Sequence, residues 1–429
     1  MLILILMMEP PLHINQESIR LVLLLGSFGF LVYLVFKSKQ NAQVNWAMFY
    51  ATLWVSLSLV IVNYLCVKLG YWTYISDKPL SLDIPLDLYF SWVVLWGVVV
   101  TYFLKSKFVF TSLLFIFWLD ILYMPLMQQY GVLYLRSDWY IGEAAIILFV
   151  LLPARLWTKW SLEKTNIVGR TLLQIVCVGI ILFFILPYSV HLVKPLQFSF
   201  DSPRIIYSLQ IFFIIALPAL IAVRDLVTLG KGTPFPYDET KLLVTNGVYA
   251  YIQNPIQWSM TVIFIPLAWF FSSPLLLLGS LVSFAYCMSL ARVQEGADMV
   301  SRFGDSWLSY KCRAPVYRFL WKPSQMGQAT IHFRKDCNVC QEVKEWFERR
   351  NPVSLKFEDA SLEMQQVTYI DQNKNRNTSV LAISYALGHI NLVYASLGWL
   401  MRFPGFCFLL QLIVDATIPP KEIGCAVEA

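Results

Sequence analysis

Residues 171–190 read TLLQIVCVGIILFFILPYSV, an apolar run without a charged side chain. Crossing a hydrocarbon core about 30 Å thick takes roughly 20 helical residues, so this run is long enough to span a membrane. Comparable runs recur from Ile19 to about Leu290 and stop after Arg292. They predict nine membrane-spanning helices, centred near residues 28, 55, 95, 115, 147, 180, 214, 264 and 282.

The composition of the 429-residue chain also indicates an integral membrane protein. Its residues are 58% hydrophobic and 14% charged, whereas roughly a quarter of the residues in soluble domains are charged. The N-terminal MLILILMM has no basic lead-in and no small-residue cleavage site after it, so we do not expect a signal peptide. The pattern therefore predicts a mainly α-helical, multi-pass membrane protein in contact with the lipid bilayer.

Lys and Arg residues are distributed unevenly between the loops. If the N-terminus lies outside, the four inside loops carry eleven of these residues and the four outside segments carry six. Because basic residues accumulate on the cytoplasmic side of membrane proteins, this distribution predicts a cytoplasmic C-terminus. The net charge of +6 then requires no nucleic-acid partner, since basic residues facing anionic lipid account for it.

Four carboxylates lie in or beside predicted spans, namely Asp83, Asp87, Asp120 and Glu143. A carboxylate at membrane depth is costly and marks a functional site by default. Each of the four also lies within a turn or two of a predicted helix end, where water can reach it, so a structural role stays open. The sequence assigns no function to the transmembrane region formed by residues 1–165.

A loop between the seventh and eighth predicted spans is rich in glycine and proline. It reads GKGTPFPYDETKLLVTNGVYAYIQNP, residues 230–255, and we name it the Gly/Pro loop. Its glycines and prolines prevent a continuous helix. Broken backbone at membrane depth is tolerated only where protein shields it around a cavity. The loop therefore predicts a polar pocket at the membrane surface.

The Gly/Pro loop and the helix after the last span carry a resemblance to a known family. GKGTPFP at 230–236, LVTNGVYAYIQNP at 243–255, Glu295 and FGDSWLSY at 303–310 follow one another along the chain. This ordered set resembles the membrane methyltransferases related to isoprenylcysteine carboxyl methyltransferase and the phospholipid methyltransferases, over roughly residues 220–320. The resemblance implies a methyltransferase-like domain over residues 166–323, with S-adenosylmethionine as cofactor and a hydrophobic or lipid-like acceptor.

The same resemblance implies a set of cofactor-binding residues. They stand at the family's Arg-His/Asn-Pro motif, at the aromatic positions before it and at the first acid after the last span. A carboxylate suits the cofactor's ammonium group, and an aromatic face suits its sulfonium through cation–π attraction. In this sequence the set is Tyr249, Tyr251, Gln253, Asn254, Pro255 and Glu295.

The chain departs from the family pattern at three positions. Gln253 replaces the motif's Arg, Gln257 replaces its Tyr, and Gly296 replaces the second acid. Losing the Arg removes a charged, bidentate anchor for a carboxylate. A neutral glutamine still donates a hydrogen bond, of roughly half the strength.

Residues 328–429 predict a soluble α/β domain. The segment 329–334 alternates as a strand, 336–350 reads as a turn followed by a helix, and 353–359 reads as a second strand. Residues 365–372 and 377–383 suggest a strand pair joined by the polar NKNRN. The apolar segment 387–413 predicts a helical hairpin packed on this sheet rather than a tenth span.

Cys337 and Cys340 form a Cys-x-x-Cys motif directly after the first strand of this domain. The start of a helix stabilises a thiolate and lowers its pKa, and Cys340 lies one turn away, where it can form a disulfide with Cys337. Strand, Cys-x-x-Cys and helix in this order are typical of thioredoxin-like redox sites. Zinc is the rival ligand, but His332 is the one further candidate nearby and a second ligand pair is missing. We predict no metal site.

The tail resembles the DCC family of thiol-disulfide oxidoreductases over nearly all of residues 328–425. The matching features are the Asp-Cys-x-x-Cys motif at 336–340, the segment YALGHINLVYASLGWLMRFPG and the closing Cys425. This resemblance implies that Cys337 and Cys340 are catalytic and that a thiol-containing partner protein exists. Arg334 and Lys335 stand where the family has Asp-Gly, and their charges would favour a Cys337 thiolate.

Three functional hypotheses follow from these features. The first is a membrane enzyme that methylates a hydrophobic acceptor and carries a redox domain. The second is a membrane-anchored thiol-disulfide oxidoreductase whose methyltransferase core is inactive. The third is a non-enzymatic transporter or scaffold that keeps both folds.

Overall fold

A computed structural model describes residues 16–37, 41–75, 83–196, 203–235, 238–324, 327–361 and 364–417. The chain divides into two compact units, Met1–Leu186 and Pro187–Ala429. The second unit contains both the predicted methyltransferase-like segment and the predicted α/β domain. The division into three functional regions at about residues 165 and 325 stays a prediction.

The first unit consists of membrane-length helices and one small sheet. Its helices are α1 Gln16–Lys37, α2 Ala42–Lys68, α3 Leu86–Val93, α4 Val100–Leu104, α5 Val109–Gln129, α6 Trp139–Ile146, α7 Leu152–Glu163 and α8 Ile167–Ile180. The next helix, α9 Leu186–Val193, has all but its first residue in the second unit. π-Helical turns at Val94–Val99, Ile147–Leu151 and Ile181–Ile185 join neighbouring helices into longer spans. Strand β1, Trp72–Tyr74, pairs antiparallel with β2, Leu133–Leu135.

Hydropathy placed the first seven spans correctly. Among the described residues, seven helical segments are long and apolar enough to cross a membrane: Glu17–Leu34, Ala42–Lys68, Leu86–Leu104, Val109–Gln129, Trp139–Glu163, Ile167–Val193 and Pro203–Thr228. The protein is therefore an integral, multi-pass membrane protein. The predicted eighth and ninth spans are the shorter apolar segments Pro255–Phe270 and Pro274–Ser289. Sixteen helical residues extend over only about 24 Å.

The membrane part of the second unit surrounds the Gly/Pro loop. Its helices are α10 Pro203–Thr228, α11 Pro255–Val262, α12 Phe264–Phe270, α13 Leu277–Tyr286 and α14 Arg292–Arg313. Helix α10 packs against α11 and α12, and α11 packs against α13. As predicted, the Gly/Pro loop is not a continuous helix: among its described residues, Gly247–Ala250 forms one short 3₁₀ turn. The predicted turn after α12 is present, with Ser272 at a positive φ of 50°.

A four-stranded mixed sheet forms the α/β domain. Strands β3 Ala329–Phe333, β4 Leu355–Asp359, β5 Thr368–Ile370 and β6 Arg376–Thr378 lie in the order β4-β3-β5-β6. β3 and β4 are parallel, while β3 with β5 and β5 with β6 are antiparallel. Helix α15, Asn338–Glu348, connects the parallel pair. The alternating burial of β3 places Ile331 and Phe333 in the core, as its sequence pattern predicts.

Two details of this domain differ from the sequence prediction. The second strand of the predicted pair ends at Thr378, and Ser379–Leu387 forms helix α16 instead. Most residues of this helix are buried, so its sequence is largely apolar. A short, largely apolar run does not distinguish a buried strand from a buried helix, which explains the difference. The predicted helical hairpin consists of α17, Leu392–Met401, and α18, Pro404–Thr417, which meet at 86° rather than antiparallel.

Candidate functional site

Two of the four membrane carboxylates have a cationic partner. Asp87 accepts two hydrogen bonds of 2.6 Å from the guanidinium of Arg20. Asp83 lies 3.0 Å from the ammonium of Lys68. These two carboxylates are therefore neutralised locally, and a structural role accounts for both of them.

The other two carboxylates, Asp120 and Glu143, line one cavity of about 40 Å³ in the first unit. Glu143 is buried, and Asp120 lies near the middle of the span Val109–Gln129. Asp83 and Asp87 therefore have cationic partners, whereas Asp120 and Glu143 share a cavity.

The Gly/Pro loop is held against helix α14. The amide of Lys241 donates to the carbonyl of Gly230 at 2.7 Å, which folds the first half of the loop back on itself. Gly232 approaches the backbone of Thr240 so closely that a Cβ would lie 2.4 Å from its nitrogen. Arg302 of α14 donates to the Thr240 carbonyl and pairs with Asp298 at 2.6 Å. Residues 236 and 237 of the loop lie outside the described residues.

The two aromatic residues proposed for the cofactor site are buried in the protein interior. The carbonyl of Tyr249 accepts a 2.9 Å hydrogen bond from the hydroxyl of Tyr310. The hydroxyl of Tyr251 donates to the carbonyl of Gly388 at 2.9 Å, and its ring packs edge-on against Trp399 at 5.7 Å. Burial raises the pKa of both tyrosine hydroxyls, Tyr251 and Tyr310, above the ordinary value.

The side chain of Gln253 is committed to the end of helix α14. Its amide nitrogen donates to the carbonyl of Lys311 at 2.8 Å and also to the carbonyl of Ala314. The backbone amide of Gln253 donates to the Pro315 carbonyl at 2.9 Å. The residue that replaces the motif's arginine therefore satisfies carbonyls that the end of a helix leaves without partners.

The remaining motif residues lie at the start of helix α11. Asn254 is half-buried at the N-cap position, where its side chain makes no capping bond, and Pro255 is the buried first residue of the helix. The Gln257 side-chain oxygen accepts a hydrogen bond from the hydroxyl of Tyr317 at 3.4 Å. Glu295 belongs to helix α14, but its side chain lies outside the described residues.

A polar cavity of about 240 Å³ borders the Gly/Pro loop. It lies between the end of helix α10, the loop and the α/β domain, all within the second unit. Its lining includes Arg224, Asp225, Asn246, Gly247, Tyr369, Asp371, Asn375, Tyr385 and Arg402. A polar cavity is therefore present beside this loop, and the α/β domain contributes about half of its wall. None of the six residues proposed for cofactor binding lines it, so the predicted cofactor pocket around Asn254 and Glu295 stays a prediction.

Asp225 and Arg402 form a buried ion pair in this cavity. The Arg402 Nη1 atom lies 3.5 Å from Oδ1 of Asp225, and the two side chains are 2% and 0% exposed. Oδ2 of Asp225 and Nε of Arg402 have no hydrogen-bond partner among the described residues. Sequence reasoning missed this pair. The sequence does show an acid and a base, Asp225 and Arg402, inside two separate apolar runs, and this was the available signal for a buried ion pair.

Cys337 and Cys340 form a disulfide at the start of helix α15. Cys337 is partly exposed and is the N-cap residue, and its sulfur accepts a 3.2 Å hydrogen bond from the amide of Cys340. Cys340 is buried in the domain core. One sulfur is therefore accessible to a partner thiol while the other is shielded.

The basic residues before the disulfide have carboxylate partners. Arg334 pairs with Asp336 at 3.1 Å, and Lys335 pairs with Asp359 at 3.0 Å. The ammonium of Lys335 holds the pKa of Asp359 below its ordinary value. These pairs reduce the electrostatic effect that the two cations were expected to exert on Cys337. Cys425 lies outside the described residues.

A largely apolar cavity of about 240 Å³ adjoins the buried cysteine. Its walls come from helix α15, the segment before β5 and helix α16, and they include Cys340, Val343, Val367, Val380 and Ile383. The disulfide thus lies beside an apolar space that can accept a hydrophobic side chain or a small apolar group.

Comparison with known proteins relates one region of the chain to a protein family. Residues 208–306 match the family model described as phospholipid methyltransferase. The matched region runs from α10 into α14 and contains the Gly/Pro loop and all six residues proposed for cofactor binding. No curated protein and no solved structure matches the chain. The methyltransferase resemblance is confirmed for this region, and the resemblance of the C-terminal domain to the DCC family stays a prediction.

Proposed function

We propose that the protein is a membrane methyltransferase that transfers a methyl group from S-adenosylmethionine to a hydrophobic or lipid-like acceptor. The observation that carries this proposal is the match of residues 208–306 to the phospholipid methyltransferase family. The matched residues surround a loop that borders a polar cavity beside apolar helices. A polar cofactor and an acceptor from the bilayer need such a boundary between polar and apolar surroundings.

The residues around the loop fit the cofactor in part. Glu295 is a carboxylate for its ammonium group, and Asn254 has a side-chain amide that caps no helix. Gln253 and Tyr251 use their side-chain polar atoms within the protein, so we propose that they hold the loop in place. Tyr249 is proposed to contribute its aromatic face. When bound, the cofactor supplies an electrophilic methyl group.

The proposal is tested by binding of labelled S-adenosylmethionine to the full-length protein in detergent. Removing a charged hydrogen-bond partner costs about 1.5–3 kcal/mol, so Glu295→Gln should weaken binding about tenfold to 150-fold. Asp305→Asn is the matched control, because Asp305 is an exposed acid on the same helix and should leave affinity unchanged. The absence of saturable binding to the wild-type protein, or equal effects of both variants, would remove the basis of the proposal.

A second candidate function belongs to the α/β domain. We infer that Cys337 and Cys340 are the redox centre of a thiol-disulfide oxidoreductase. The arrangement of one accessible and one buried sulfur supports this. The position of the Cys-x-x-Cys motif between strand β3 and helix α15, typical of thioredoxin-like redox sites, supports it as well. A cytoplasmic position of this domain is proposed from the distribution of basic residues. Cytosolic disulfides are usually transient and catalytic or redox-sensing, so the disulfide form of the pair would act there as a transient electron acceptor.

The proposed thiol–disulfide exchange moves two electrons from the partner protein to the cysteine pair. A thiolate of the partner protein attacks the Cys337 sulfur, the Cys337–Cys340 bond breaks, and Cys340 leaves as a thiolate that takes up a proton. A second thiolate of the partner then attacks the mixed disulfide and releases Cys337. The partner loses two electrons and gains a disulfide, while the pair gains two electrons.

The test is trapping of the mixed disulfide. Cys340→Ser should accumulate a partner, or a small thiol such as glutathione, on Cys337, whereas Cys337→Ser should not. Because the Cys340 amide donates to the Cys337 sulfur, alkylation of reduced Cys337 should exceed that of a free cysteine at pH 6. Equal trapping in both variants would argue for a structural cysteine pair.

A further inference from the structure

Asp120 and Glu143 share a cavity whose other walls carry no compensating cation. None of the described side chains that line it is Lys, Arg or His. Helices α2, α3, α5 and α6, the first π-helical turn and strand β1 all contribute to its walls. Two carboxylates in one small, membrane-embedded cavity repel each other, and their burial is favourable only when a proton or a cation compensates the charge.

An unsatisfied amide points to a ligand in the same cavity. Asn63 is 1% exposed, and its side-chain oxygen accepts hydrogen bonds from Trp72 Nε1 at 3.2 Å and Tyr74 Oη at 2.7 Å. These bonds fix the orientation of the amide. Its Nδ2 atom is buried and has no hydrogen-bond partner in the part of the chain that the structure describes. The hydroxyl of Tyr123, which also lines the cavity, is likewise buried without a hydrogen-bond partner among the described residues. Buried donors of this kind are normally satisfied by protein, water or ligand.

Four aromatic side chains besides Tyr123 line the cavity. Trp72, Trp92 and Trp96 line it together with Tyr74, whose ring centroid lies 6.3 Å from that of Trp92. Tryptophan faces attract organic cations more strongly than other aromatic side chains do. The cavity therefore combines negative charge with several aromatic side chains.

The backbone is shaped to bring these groups together. A Cβ at Gly142, the neighbour of Glu143, would overlap the ring of Trp72, so only glycine lets the indole pack there. Trp96 lies within the π-helical turn Val94–Val99, and a second such turn begins directly after the lining residue Ile146. π-Helical turns inside α-helices occur frequently at functional sites.

We propose that this cavity binds a small organic ammonium ion. Its N–H groups or positive charge face Asp120 and Glu143, its alkyl groups contact the tryptophan faces, and Asn63 Nδ2 donates to an oxygen of ligands that carry one, such as an amino alcohol. The described residues contain no cluster of three His, Cys, Asp or Glu that would hold a metal ion. The cavity lies outside residues 208–306, so this inference does not depend on the proposed methyl transfer.

Equilibrium binding of labelled methylammonium, ethanolamine and tetramethylammonium to the full-length protein in a sugar-based detergent tests the proposal. Saturable binding is expected, and it should weaken by at least about tenfold in Glu143→Gln and Asp120→Asn. Trp96→Leu should weaken it about twofold to 30-fold. Asp83→Asn is the matched control, because that carboxylate is already paired with Lys68, and it should bind as the wild type does.

Two further measurements separate the alternatives. Glu143→Gln removes charge repulsion, so its melting temperature should equal or exceed that of the wild type, which shows that lost binding is not unfolding. Competition by ethanolamine or choline phospholipids in nanodiscs, with phosphatidylglycerol as control, distinguishes a lipid head group from a free amine as the source of the ammonium. Absence of saturable binding by every ammonium ion, or equal binding of Na⁺ or K⁺ without any effect of Trp96→Leu, would overturn the proposal.

Discussion

The substitution Arg402→Met is expected to destabilise the second unit strongly. Arg402 is almost fully buried, lies 3.5 Å from Asp225 and stacks on the ring of Tyr385 with 4.6 Å between the guanidinium and the ring centroid. Its loss leaves a fully buried carboxylate without its partner, which costs about 3–5 kcal/mol in comparable pairs. Arg224 also borders the cavity and offsets part of this charge, so we expect about 3 kcal/mol.

A double substitution separates the ion pair from simple packing. Asp225→Asn combined with Arg402→Met removes both charges, so the second change should cost much less than it does alone. The expected coupling is about 2 kcal/mol, in the range measured for residues that share a buried network. Methionine keeps the aliphatic volume of arginine, which limits the contribution of lost packing.

Thermal unfolding of the detergent-solubilised protein, followed by circular dichroism, measures both effects. For units of this size 1 kcal/mol corresponds to roughly 2–4 °C, so Arg402→Met should lower the melting temperature by roughly 6–12 °C. Additive effects of the two substitutions, or a decrease below about 2 °C for Arg402→Met, would refute an energetically coupled pair.

Three further predictions concern the same unit. Gly247→Ala should destabilise it by about 1–3 kcal/mol, because Gly247 has a φ of +66° and a Cβ would lie 2.5 Å from Oδ2 of Asp225; an unchanged melting temperature would contradict this. Burial lowers the pKa of His389 to about 4, so the unfolded chain binds this proton first and stability should fall by up to about 3 kcal/mol as the pH drops from about 6.5 to 4. His389→Gln should flatten that pH dependence of the melting temperature, and an unaltered slope would assign it to other groups. Gln253→Ala should cost about 1–3 kcal/mol, because two carbonyls at the end of α14 lose their donor; if it affects cofactor binding without lowering the melting temperature, a direct contact is indicated instead.

Hydropathy predicted the membrane-spanning helices well, because crossing a bilayer imposes a minimum apolar length that is visible in a single sequence. It was less accurate after residue 254, where Asn254-Pro255 and the turn at Ser272 limit the last two apolar helices to sixteen residues or fewer. In the α/β domain, alternation identified β3 correctly. The run after Thr378 is largely apolar and has two serines, Ser379 and Ser384, so its short sequence carries no clear period that separates a strand from a helix.

The sequence suggested candidate functional residues where the signal is local, and it did not do so where the signal is long-range. The Gly/Pro loop and the Cys-x-x-Cys motif are continuous in sequence, so composition and spacing revealed both. Asp225 and Arg402 are 177 positions apart. Asp225 follows Arg224 directly in the sequence, and Arg402 stands in an apolar run, so nothing local links the two as partners. Likewise, the sequence marks Asp87 and Asp120 as equivalent membrane carboxylates, and only the fold shows that one has Arg20 as partner while the other lines a cavity with Glu143.

Buried contacts join the methyltransferase-like segment and the α/β domain into one unit. The hydroxyl of Tyr251 bonds to Gly388, its ring packs on Trp399, and Asp225 pairs with Arg402. Each contact has one partner before residue 324 and one after residue 328, so removing the domain would expose a core tyrosine and leave a buried carboxylate unpaired. The two proposed chemistries therefore rest on a shared core, and a substitution at Tyr251 or Asp225 can alter both without touching either reacting group. For this reason methyl transfer and thiol exchange must each be measured on the full-length chain.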